Sequence, residues 1–83
     1  MRLTVKYFAS IREALGQGSE AVETSAADLQ ALRDELVARG GAYAQVLARG
    51  KAVRVALNQV MSDESVALGE GCEVAFFPPV TGG

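Results

Sequence analysis

Histidine and tryptophan are absent from this chain, cysteine occurs once, and the two prolines stand side by side near the end. With no histidine and with Cys72 alone, the chain cannot assemble a tetrahedral zinc set, a Cys–His pair or a Ser–His–Asp triad. No run of basic residues occurs. A formal net charge of −2 and a pI near 5.0 argue against nucleic acid or an anionic membrane as a partner. No apolar stretch approaches a membrane span, and Met1-Arg2-Leu3-Thr4 opens no apolar signal segment. These absences lead us to expect a reduced, soluble, cytoplasmic protein.

What is present suffices for one small core. Of the 83 residues 49% are hydrophobic, so a single domain can close without a disulfide or metal staple. Residues 2–9 read as a first strand, with Leu3, Val5 and Tyr7 on one face and Thr4, Lys6 and Phe8 on the other. A short helical turn follows over 10–15, with Ser10 as its N-cap, Glu13 completing a capping box and Gly16 ending it. Residues 20–24 form a weak edge strand that Glu20 and Glu23 interrupt. The clearest helix starts at a Ser25 cap, carries Leu29, Leu32, Leu36 and Val37 as one stripe, and stops at Gly40-Gly41. A shorter helical piece over 42–48 buries Tyr43, Val46 and Leu47.

The second half reads as strands. Residues 52–57 make a third strand, with Val53, Val55 and Leu57 inward and Arg54 outward. Asn58-Gln59 is a turn, Val60-Met61 a brief strand, 62–65 a polar loop and 66–68 a short extended piece. The last strand is 73–77, with Val74 and Phe76 on one face and Ala75 and Phe77 on the other. One long helix between two strand groups must cover one face of a mixed sheet. The first and last strands are the most apolar, which puts them side by side in the middle and parallel. The expected class is α+β, a β-grasp (ubiquitin-like) sheet over 1–77 with an extended tail over 78–83.

That tail organises the rest. Pro78 and Pro79 cannot continue a ladder, so the strand ends at Phe77. Val80, Thr81, Gly82 and Gly83 complete a thin terminus whose α-carboxylate is its one group open to activation, since Thr81 has no base near it in sequence. A side-chain-free end suits threading into another protein's narrow active site. Phe8 and Phe77, joined by Met61 from the neighbouring strand, fall on the sheet face opposite the helix. They form a candidate docking patch beside the tail.

The segment Glu73-Val74-Ala75-Phe76-Phe77-Pro78-Pro79-Val80-Thr81-Gly82-Gly83, preceded by Leu68-Gly69-Glu70-Gly71, closely resembles the end of the molybdopterin synthase small subunits, the MoaD branch of the MoaD/ThiS sulfur carriers. The Tyr7–Glu13 start and the Val55–Gln59 segment are also similar to that family. The resemblance implies a non-catalytic, sulfur-donating subunit with no stably bound cofactor and no metal. An E1-like adenylyltransferase of the MoeB type would use ATP to adenylate the Gly83 carboxylate. A sulfur donor would convert the adduct to a thiocarboxylate. The tail would then enter the large subunit, MoaE, in a heterotetramer and deliver sulfur to cyclic pyranopterin monophosphate. Gly83 would carry the sulfur, Gly82 would allow entry, and Phe8, Met61 and Phe77 would contact the partners.

Two other readings share the Gly-Gly end. One is the sulfur carrier of thiazole synthesis in thiamine biosynthesis, against which the Phe-Phe-Pro-Pro-Val-Thr run argues. The other is a ubiquitin-like modifier, separated only by the fate of the activated carboxylate. Cys72 reads as a small space-filler. Glu70, Glu73, Asp63 and Glu64 read as turn-forming or solvated carboxylates, and Lys51 and Arg54 as solvated cations able to meet an acidic partner surface.

Overall fold

The structure, a computed structural model, describes residues 1–48 and 50–79. Eight elements follow in order: β1 (Arg2–Tyr7), α1 (Ala9–Leu15), β2 (Ser19–Glu23), α2 (Leu29–Ala38), α3 (Gly41–Leu47), β3 (Arg54–Leu57), β4 (Val60–Ser62) and β5 (Glu73–Phe77). The sheet runs β2-β1-β5-β3-β4, with β1 and β5 parallel at its centre and every other pair antiparallel. This is the expected β-grasp arrangement.

Alternation along the central strands sets the two faces. Leu3, Val5 and Tyr7 of β1 and Val74 and Phe76 of β5 are almost wholly buried, and they pack with Leu29, Leu32 and Leu36 of α2 and Leu47 of α3. Each such large apolar side chain contributes about 1.5–3 kcal/mol on burial. The Tyr7 and Phe76 rings stack at the centre, 6.3 Å between centroids. Cys72 is a free thiol inside this core, the space-filling place its sequence context suggested.

Local differences from the sequence reading have physical causes. The first strand ends at Tyr7, not Ala9, because Ala9 turns to φ +53° and starts α1. Phe8 is therefore the N-cap of α1, with no side-chain cap bond, and Ser10 and Glu13 form no capping box. Ser25 does not cap α2 either. Asp28 does, its carboxylate accepting from the Ala31 N–H at 2.8 Å. Thr24 instead braces the turn ahead of the helix: its Oγ1 accepts from Ala26 N–H at 2.9 Å and its hydroxyl donates to Glu35.

Helix α2 ends at Ala38 with Arg39 as its C-cap, and Gly40, at φ +76°, supplies the positive-φ residue that lets α3 start in a new direction. β3 begins at Arg54 instead of residue 52. β4 reaches Ser62, and of the expected 66–68 piece only an isolated bridge between Ala67 and Asp28 forms. No helix among the described residues is long and apolar enough to cross a membrane.

Candidate docking face and tail root

The parallel register fixes what stands on the outer face. Tyr7 pairs with Phe76, and Phe8 N–H continues the ladder by donating to the Phe76 carbonyl at 3.2 Å. Phe8 thus lies beside Phe77 although it has left the strand, and the two rings meet edge to face, 6.3 Å apart at 84°. In the next row Lys6 pairs with Ala75, Ala75 with Ala56, and Ala56 with Met61. Ala56 and Ala75 are buried, yet neither belongs to the inner core cluster; they are the small floor of the outer face. Phe8 is 46% exposed and Met61 54%, while Phe77 is half-buried between them. Val60, 65% exposed, lies next to Met61 in β4.

Charges frame this patch. Lys6 Nζ stands 3.3 Å from Glu73, and Arg2 pairs with Glu23 at 3.3 Å, both across exposed surface. Arg54 pairs with Phe77 in the ladder and is exposed, as its outward reading implied. The Glu70 carboxylate accepts from the Arg2 N–H, so it serves a turn, as expected.

The tail root follows directly. β5 ends at Phe77, and Pro78 and Pro79 continue half-buried. One open groove runs along Pro79, between residues 52–55 and 61–64. A second lies along Pro78, walled by Ile11, Val46 and residues 51–53. The terminal candidates Val80, Thr81, Gly82 and Gly83 lie outside the described residues.

Two charged clusters escaped the sequence reading. Glu20 does not interrupt β2; it is paired with Val5 on the inner side and collects four hydrogen bonds. Its Oε2 accepts from Tyr7 and Tyr43 hydroxyls, each at 2.7 Å, and from Gln17 at 3.2 Å, while its Oε1 accepts from Arg39 at 2.9 Å. Arg39 also covers the Tyr43 ring at 4.9 Å. Desolvation raises the Glu20 carboxyl, but the bonds from Tyr7, Arg39 and Tyr43 outweigh it and hold the pKa below its ordinary value. Burial and then the bond to Glu20 push both tyrosines up.

Arg33 is the second. It is 3% exposed, and its guanidinium donates to Leu47, Ala48 and Lys51 carbonyls and to the Glu64 carboxylate. Glu64 is thus an ion-pair partner at 2.6 Å, whereas Asp63 stays exposed and accepts from Ser65, holding its own carboxyl low.

The sequence model of the ThiS family matches residues 5–83. A curated relative from Haemophilus influenzae, named molybdopterin synthase sulfur carrier subunit, is 41% identical over 81 residues, 98% of this chain and 99% of its own. One of the same name from Escherichia coli is 38% identical over the same shares. Among solved structures, the complex of subunits 1 and 2 of the molybdopterin-converting factor from Helicobacter pylori contains a chain with TM-score 0.71 and 26% identity, matched over the whole of both chains. The small archaeal modifier protein 1 of H. volcanii aligns with TM-score 0.78 and 25% identity, over 95% of this chain and 98% of its own.

Proposed function

The chain belongs to the ThiS family, and from that premise we propose that it is the sulfur carrier subunit of a molybdopterin synthase. The observation that carries the reading is the placement of an exposed aromatic and methionine patch at the root of the tail, on the face the helices leave open. Full-length relatives bearing that name support it.

The chemistry proceeds at the terminal carboxylate. A Gly83 carboxylate oxygen attacks the α-phosphorus of ATP on an E1-like adenylyltransferase of the MoeB type, and pyrophosphate leaves. A hydrosulfide equivalent then attacks the acyl carbon, AMP departs, and a thiocarboxylate remains. Adenylation is needed because a free carboxylate offers no leaving group. The loaded tail enters the large subunit (MoaE), which supplies the acid–base groups and receives sulfur onto cyclic pyranopterin monophosphate. The assembly is a heterotetramer around a large-subunit dimer. ATP is consumed by the activating enzyme and does not remain on this chain, and the lone Cys72 thiol suits a reduced cytoplasmic setting.

In this reading Phe8, Met61 and Phe77 seat the domain on its partners. Pro78 and Pro79 then direct Val80 to Gly83 into the site. The test is reconstitution with the large subunit: a chain ending at Gly82 retains its fold and makes no molybdopterin, and product formation by that variant at the normal rate overturns the proposal.

The likeness to an archaeal modifier protein favours one second reading, in which the activated carboxylate is passed to a lysine amine. A stable isopeptide adduct in place of a sulfur-bearing product would establish it.

A further inference from the structure

We infer that Arg33, a buried arginine far from the tail in sequence, is a positioning residue for the tail root, an inference that rests on the carrier reading. β3 and β4 are paired only from Val55–Ser62 inward to Leu57–Val60. Before Val55 and after Ser62 the two chains separate, and they become the facing walls of the groove along Pro79. Arg33 reaches both walls from beneath. Its Nη2 donates to the Ala48 and Lys51 carbonyls at 2.8 and 3.1 Å, fixing the start of the first wall. Its Nη1 donates to Glu64 at 2.6 Å, fixing the end of the second. Nε closes the set on the Leu47 carbonyl at 2.7 Å.

A guanidinium suits this task, because its planar fork holds several acceptors at fixed angles while a hydrocarbon of equal size would hold none. Core filling alone does not require it: α2 buries Leu29, Leu32 and Leu36 on the same side, and Arg33 is the buried charge among them. The same clamped segment also walls the groove along Pro78, through Lys51, Ala52 and Val53. Both prolines therefore rest on surface whose spacing Arg33 sets. With φ fixed in each ring, the backbone of Pro78 and Pro79 has few alternatives to the path this surface gives it. The docking patch lies on the outer face; Met61 is shared with the groove wall, but Phe8 and Phe77 line neither groove and make no hydrogen bond to Arg33.

Clamp and patch therefore separate kinetically. The experiment uses the full chain, ATP and the E1-like adenylyltransferase, with Arg33→Met and Glu64→Gln compared with wild type by pyrophosphate exchange. Amide hydrogen exchange at Lys51 and Ala52 is read in parallel. We expect faster exchange at those amides, a KM for the carrier within about twofold of wild type, and a kcat lowered about tenfold or more, as misplacement of a reacting group produces. Unchanged kcat in folded variants overturns the inference. So does a fall in apparent activity that tracks only the unfolded fraction, which would make Arg33 a structural residue alone. If Arg33→Met does not fold, Glu64→Gln, which replaces the charge-assisted bond at the groove rim with a weaker neutral one, decides by the same outcomes. Failure of wild type itself to form an adenylate would instead overturn the carrier reading and take the inference with it.

Discussion

Phe8 and Phe77 touch edge to face across the ends of the two central parallel strands, 6.3 Å between ring centroids. The contact joins the end of β1 to the end of β5, immediately before the tail. Phe8 reaches it by an unusual route, since Ala9 adopts φ +53° directly after it and turns the chain into α1. The exposed patch and the proline pair that follows β5 thus share one root.

Replacing Phe77 with aspartate tests that surface. Phe77 is half-buried and outside the inner core cluster, so stability should fall modestly. Affinity for the large subunit should fall by about 2 kcal/mol or more, as for a buried aromatic anchor. Thermal unfolding and titration calorimetry separate the two. Collapse of the fold at room temperature would place Phe77 in the core instead.

The Glu20 cluster makes stability depend on pH at both ends. The folded-state pKa of Glu20 is depressed, so its contribution is present above the ordinary value of 4.5 and is lost as pH falls through the folded value. Tyr7 and Tyr43 are raised, so their contribution is present below the ordinary 10.0 and is lost as pH rises beyond it. Urea titrations should therefore show a plateau near neutrality that narrows on both sides. In Glu20→Gln the acid-side loss should shrink; an identical acid profile would contradict the assignment.

Asp28, and not Ser25, should matter to α2. Asp28→Ala removes the acceptor of the Ala31 N–H and should cost about 1 kcal/mol. Ser25→Ala should be neutral within about 0.5 kcal/mol. Equal losses in chemical denaturation would contradict the capping geometry.

The β3–β4 turn offers a stabilising change. Asn58 and Gln59 both hold positive φ, +50° and +69°, the combination a type I′ turn requires. Glycine is preferred at the second position, so Gln59→Gly should raise stability by up to about 1 kcal/mol. A lowered Tm would show that Gln59 makes a contact worth more than its strain.

Most of the architecture was legible because period-two alternation in β1 and β5 and the Leu29–Leu32–Leu36 stripe depend only on local spacing. The outer patch followed from the same alternation, although Phe8 keeps its side by ladder continuation after the strand has ended. Caps were misplaced because Thr24, Ser25 and Asp28 are all capping types within five positions, and only the backbone path decides among them. Glu20 and Arg33 were invisible for a different reason. Apart from Gln17, their partners lie 13 to 31 residues away, and a charged residue without its distant partners reads locally as solvated. Charged side chains facing an apolar stripe, as Arg33 does beside Leu32, are the signal that could have marked them.

The most direct test of the carrier reading is intact-mass spectrometry of the full chain after incubation with ATP, the E1-like adenylyltransferase and a sulfide source. The account predicts a mass gain equal to exchange of one oxygen for sulfur, localised by fragmentation to Gly83. An unchanged mass with an activating enzyme proven competent on another carrier would contradict it.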